Sequence, residues 1–160
     1  MSRLLIVSLS AMTPLSALCQ ERPALESIGA SLANTASAFR CAYLADLAKL
    51  NDSEEKLIEI ALELGRSLYP LYWENGGSDI MFEEGMLPYS LLLDYDISPD
   101  FFLGRLFQQV RFNVRKYMEI EFESMGLRSE ADRYRETPSL AMTIFEKENC
   151  RLLPAALGGD

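Results

Sequence analysis

Apolar residues recur at helical spacing along most of the chain, and the longest such run is Ser98 to Gly126, SPDFFLGRLFQQVRFNVRKYMEIEFESMG. Leu103, Leu106, Phe107, Val110, Val114, Tyr117 and Met118 form one continuous apolar face. Ser98 suits the N-cap, Pro99 the first helical position, Asp100 the positive end of the dipole, and Gly126 the stop. Such a helix is about 40 Å long, enough to cross a small domain. Phe101, Phe102, Phe112, Ile120 and Phe122 fall on its other faces, which predicts neighbours on more than one side.

An earlier helix is expected over about Ser31 to Leu50. Leu32, Ala36, Phe39, Tyr43, Leu44 and Leu47 supply its stripe, and its alanines permit close packing. Asn51-Asp52-Ser53 breaks the pattern and starts a second helix, with Asp52 and Glu55 at capping-box spacing. Leu57, Ile58, Ala61, Leu62, Leu64 and Leu68 carry that helix to about Tyr69. So short a break predicts an antiparallel hairpin. Pro70 to Pro88 is the least regular part and contains the turn signal Asn75-Gly76-Gly77. Asp79 to Met86 fits a helical turn, and Leu87 to Leu93 fits a short buried helix or a strand. Beyond Gly126, Arg128 to Glu136 reads as a charged helical segment or linker. Thr137-Pro138 then starts the last helix, Cys150 ends it, and an irregular tail begins at about Pro154. The expected fold is an all-α, single-domain bundle of four or five helices.

The first residues change the picture of where that bundle works. Met1-Ser2-Arg3 carries one positive charge, and Leu4 to Leu18 is uncharged and mostly apolar. That run is short of the about 20 apolar residues a membrane span needs. Ala17-Leu18-Cys19 has the small-x-small form of a signal peptidase site, so residues 1–19 read as a signal peptide and 20–160 as the helical domain. A lipid-modified Cys19 fits less well because Leu18 is large, and a retained anchor is the third reading. The mature chain keeps Cys41 and Cys150, an even pair as expected in the periplasm or outside the cell, where they would form one disulfide.

The whole chain of 160 residues has a net charge of -9 and no histidine. The charge disfavours nucleic acid and other polyanions and allows a basic protein partner. The missing imidazole removes His-based triads and His-ligated zinc. A Gly-x-Ser-x-Gly elbow, a phosphate loop and a dinucleotide fingerprint are all lacking, and neither cofactor nor metal is expected.

Four clusters remain. Asp94, Asp96, Ser98 and Asp100 begin like a calcium loop, but Pro99 stands where that loop needs glycine and Arg105 where it needs a bidentate glutamate, so capping explains them better. Glu83 and Glu84, with Asp79 nearby, could act as paired carboxylates on a cell-wall glycan, although adjacent acids in a polar loop are usually only solvated. Tyr69, Tyr72, Trp73, Met81 and Phe82 gather around the Gly-rich turn as candidate partner contacts, or as a lid on the core. Arg105, Arg111, Arg115 and Lys116 interrupt the long helix. Arg111 and Arg115, one turn apart, could hold an anion, but pairing with the many acids or a solvated stripe is the simpler expectation.

The order of CAYLADL (Cys41 to Leu47), SPDFFLGRLF (Ser98 to Phe107) and ENC (Glu148 to Cys150) resembles a family of small exported helical proteins of proteobacteria and their phages. The resemblance implies export and a paired-cysteine framework, and it carries no activity. Together these readings favour an exported, non-enzymatic binding protein, an inhibitor or immunity-like protein acting on another exported protein. A carboxylate-dependent glycan hydrolase and a structural envelope protein are the alternatives.

Overall fold

Three helices of this chain end in the same way, and those endings set the topology. The computed structural model describes residues 22–74 and 98–157, with side chains described over 27–70 and 98–157. Among the described residues there are four long helices: α1 (Arg22–Leu47), α2 (Asn51–Glu74), α3 (Pro99–Ser124) and α4 (Glu130–Lys147). A single turn, α5 (Leu153–Ala156), follows them. No strand occurs among these residues, so the fold is all-α.

After α1, Lys49 adopts φ 63°, and the amides of Lys49 and Leu50 donate to the carbonyls of Asp46 and Ala45 at 3.0 and 2.9 Å. After α3, Gly126 adopts φ 75°, and the amides of Gly126 and Leu127 reach Glu123 and Phe122. After α4, Asn149 adopts φ 55°, and the amides of Asn149 and Cys150 reach Glu146 and Phe145. Each is a Schellman motif, with one left-handed residue and an apolar residue folded back onto the last turn. Glycine at 126 is the expected choice. Lysine at 49 tolerates a conformation that costs an L-residue about 1–2 kcal/mol.

The helix at the centre of the packing is α1, not the long amphipathic α3. It touches α2, α3 and α4. From Cys41 to Ala45 every residue is buried, on all sides of the helix. Ala38, Ala42 and Ala45, all fully buried, let neighbours approach closely around it. By contrast, α3 buries one stripe only, Phe102, Leu103, Leu106, Val110, Val114, Met118 and Phe122. Phe101, Phe112 and Ile120 are more than half exposed, so the expectation of neighbours on more than one side holds for buried Phe102 and Phe122, with α1 and α2 both in contact, and fails for these three. Apolar residues off the main stripe do not by themselves bring a partner, because a large share of any protein surface is apolar.

Three expected boundaries also move. α1 begins at Arg22, ahead of the expected Ser31. α2 continues past Tyr69 through Pro70 to Glu74. α4 starts at Ser129, whose hydroxyl accepts from the Asp132 amide at 3.1 Å, and runs through Pro138 without a break. Each proline deletes one helical hydrogen bond, but the flanking turns on both sides hold the helix together. At the start of α2 the first capping contact is the Leu50 carbonyl accepting from the Glu54 amide, so Asp52 lies inside the first turn rather than at the cap. The start of α3 is as the sequence predicts: Ser98 caps it and accepts from the Phe101 amide at 3.2 Å.

Cys41 and Cys150 are disulfide-bonded, with their Cα atoms 5.5 Å apart and 109 residues between them in the chain. Cys150 is brought to Cys41 by the Schellman turn that ends α4. Beside the bridge, Arg40 grips Glu148 in a bidentate pair, Nε to Oε2 at 2.7 Å and Nη2 to Oε1 at 2.6 Å. The Glu148 hydrogen bond raises the Arg40 pKa above the ordinary arginine value, against the opposing effect of burial. Covalent and ionic ties therefore join α1 to the end of α4 at the same place.

Candidate ligand-binding cleft

The site is built around Tyr43, which the sequence presents only as one apolar position on the first helix. α1 and α3 meet through aromatic contact: the Phe39 and Phe107 rings lie 5.1 Å apart, and Tyr43 stands edge-on to Phe107 at 6.5 Å. This contact fixes which residues of α3 reach Tyr43. One turn beyond Phe107, the Arg111 guanidinium lies 5.0 Å from the Tyr43 ring centre and 5.6 Å from that of Phe107. One further turn on, Arg115 lies 5.8 Å from the Tyr43 ring centre, and its Nε donates to the Tyr43 hydroxyl at 2.7 Å. Two cations thus share one aromatic ring. Each such contact contributes about 0.5–2 kcal/mol, depending on how far it is desolvated.

Past Arg115, α3 continues along one wall of a cleft of about 700 Å³. Leu47 of α1 with Met118 and Phe122 of α3 supply its apolar surface. The Schellman turn at Gly126 then reverses the chain, and the Ser129 cap launches α4. That reversal places Arg128, Glu130, Arg133, Tyr134 and Thr137 on the opposite side. Tyr134 is 83% exposed and stands at the rim.

The arginines of the cleft are not equivalent. Arg133 is tied into the framework, with Nη1 paired to Glu119 and Nε donating to the Leu127 carbonyl at 2.9 Å. Arg115 and Arg128 have no carboxylate within salt-bridge distance among the described residues, and neither does Arg111 beside them. The Arg111 Nε is buried without any hydrogen-bond acceptor. A buried charged donor without an acceptor costs at least about 1–3 kcal/mol. The cleft lining sets Arg115, Arg128 and Arg133 against Glu119 and Glu130, so with Arg111 beside it positive charge is in modest local excess in a chain of net charge -9. Neither Arg111 nor Arg115 pairs with an acid; Arg111 is half-buried against Tyr43 and Phe107, while Arg115, though held on Tyr43, is exposed like Arg105 and Lys116, as a solvated stripe requires.

The other sequence candidates fare differently. Tyr69 is half-buried with its ring 5.8 Å from that of Phe102, so it helps to close the α2–α3 contact. Tyr72 and Trp73 belong to the last turn of α2, where side chains are outside the described residues, as are Met81, Phe82, Asp79, Glu83, Glu84, Asp94 and Asp96. Residues 1–19 also lie outside. Of the acids near the start of α3, Asp100 pairs with Arg66 at 3.0 Å. Among the described residues, no group of three His, Cys, Asp or Glu side chains could hold a metal ion. No helix there is long and apolar enough to cross a membrane.

Sequence reasoning missed Tyr43, Arg128, Arg133 and Tyr134. The last three lie in 128–136, which the sequence offers as a charged helical segment or a linker, with the last helix starting only at Thr137-Pro138. Ser129 with Asp132 three residues later was the overlooked signal of the true start. No family model, curated protein or solved structure matches this chain.

Proposed function

We propose that the protein is an exported, non-enzymatic binding protein, inhibitory or immunity-like toward another exported protein, and that the Tyr43–Arg115 cleft is its contact face. The observation that carries this reading is the pair of guanidinium groups without an acid partner, Arg115 and Arg128, beside half-buried Leu47 and the exposed Tyr134 ring, over a floor of buried Met118 and Phe122. Arginine and aromatic residues around a desolvated apolar centre are the residue types that dominate protein–protein recognition. Within the cleft, Glu119 is held by Arg133, so its carboxylate serves the framework. Export is supported by the leader-like segment at residues 1–19 and by the Cys41–Cys150 bridge, which an oxidising compartment favours.

The test is affinity capture from periplasmic extract of the native host with the disulfide-bonded protein as bait, followed by mass spectrometry. The expected result is one partner retained by the parent protein and lost by both Arg115→Glu and Tyr134→Ala. A partner recovered equally by all three proteins would move the contact face elsewhere.

A further inference from the structure

We infer that the cleft recognises a carboxylate on an acidic, partly apolar peptide segment, with Arg115 and Arg128 as its receiving groups. This rests on the binding-protein reading above and names the chemistry of its partner.

The argument starts from what each cation already has. Five arginines among the described residues, Arg40, Arg66, Arg133, Arg135 and Arg151, have an acid within salt-bridge distance. The acidic composition makes such pairing easy, since acids outnumber bases 24 to 15. Arg105, Arg111, Arg115 and Arg128 are nonetheless left without one; Arg105 is exposed near the start of α3 over the Phe101 ring, whereas the other three lie in or beside the same cleft. Arg115 uses only Nε on the Tyr43 hydroxyl. That hydrogen bond and the ring contact hold its side chain in place and leave its two terminal nitrogens to donate in parallel. A guanidinium presented in this way suits a planar carboxylate with two hydrogen bonds. Because Tyr43 already orients the Arg115 guanidinium, binding there forfeits less side-chain entropy than it would with a mobile lysine.

The apolar surface narrows the ligand further. Half-buried Leu47 and the exposed Tyr134 ring lie beside the cationic groups, over a floor of buried Met118 and Phe122, so a small hydrated anion would leave Leu47 and Tyr134 uncovered. A peptide with an acidic side chain next to an apolar one covers both. The volume of about 700 Å³ fits a short segment of this kind. Arg111 does not touch the ligand in this scheme. It adds positive potential from behind Tyr43, and the negative charge brought by a ligand offsets its uncompensated burial.

The experiment uses the full disulfide-bonded protein and calorimetric titration with three probes at up to about 1 mM. These are a hexapeptide of alternating leucine and glutamate, its leucine–glutamine counterpart, and inorganic phosphate. The expected result is binding of the glutamate peptide that weakens as salt is raised, with no binding of the glutamine peptide. Arg115→Gln and Arg128→Gln should each weaken it about tenfold, the scale of one charge-assisted contact. Lys116→Gln, an exposed substitution on the same helix, should leave it unchanged. Three outcomes overturn the inference: no binding of the glutamate peptide, equal binding of both peptides, or phosphate binding without peptide binding. Unchanged affinity in a folded Arg115→Gln/Arg128→Gln double variant does so as well. If the peptide binds while extract capture fails, the carboxylate site stands and the exported-partner reading falls. If capture depends on Tyr134 while the peptide fails, the contact face stands and its carboxylate chemistry falls.

Discussion

Replacing Gly65 by alanine should destabilise the protein, against the usual preference for alanine inside a helix. Gly65 is buried in α2 where that helix crosses α3, and Leu103 of α3 is seated directly over it. A Cβ built at Gly65 would overlap Leu103 Cδ2 and lie 3.2 Å from both Leu103 Cδ1 and Cγ. Leu103 is fully buried, so it has no room to swing aside. Helix propensity favours alanine by about 1 kcal/mol, whereas forcing extra volume into a packed core costs about 1–3 kcal/mol. The net expectation is a loss of about 1 kcal/mol, or about 2–4 °C in Tm for a chain of this size. A second background makes the argument sharper. Leu103→Ala alone should cost about 2–5 kcal/mol through the cavity it leaves. On that background Gly65→Ala meets no obstacle, gains its propensity and fills part of the void, so it should stabilise by about 1 kcal/mol. Urea unfolding of the four proteins, followed by far-ultraviolet circular dichroism under non-reducing conditions, measures both effects. If Gly65→Ala stabilises equally in both backgrounds, the close approach of α2 to α3 is not what glycine serves here.

Reducing the Cys41–Cys150 bridge, or replacing both cysteines by alanine, should cost up to about 4–5 kcal/mol, because the bridge closes a loop of 109 residues in the unfolded chain; the same urea transition measured with and without reductant checks it. Lys49→Gly should stabilise by about 0.5–1 kcal/mol by relieving the φ of 63°, and Asn149→Val should destabilise for the converse reason, both read from thermal melts. A double-mutant cycle of Arg40→Ala and Glu148→Ala should give a coupling of about 0.5–1 kcal/mol, discounted because both side chains keep about a third of their surface in water. The raised Arg40 pKa contributes stability that is fully present below the unfolded arginine value and lost only as pH rises through the higher folded value. The cycle should therefore read the same at about pH 7 and about pH 10.

How much of this was legible in advance depended on whether the deciding interaction is local. Ser98, Pro99 and Gly126 delimit α3 through contacts within a few residues, so they could be read directly. The all-α class follows from periodicity sustained over most of the chain. The pairing of Cys41 with Cys150 follows from there being only two cysteines left once Cys19 is set aside with the leader. Proline misled at positions 70 and 138, because local chemistry disfavours it inside a helix while the turns on either side outweigh the one hydrogen bond it removes.

The centre of the bundle and the cleft were decided only by the tertiary fold. Nothing in the spacing of α1 distinguishes a helix with one buried face from one enclosed by three neighbours; its small residues permit either, and packing chose the second. Arg111 and Arg115 look like ordinary surface charges until α1 sets Tyr43 beneath them. Arg128 reaches the same cleft only because the Gly126 turn redirects the chain so that α4 packs against α1. Periodicity tells a chain where it will coil, since coiling depends on near neighbours in sequence. Which charges end up without a counter-charge depends on residues more than 60 positions apart, as in Tyr43 and Arg115 with their separation of 72, and that is known only once the helices have packed.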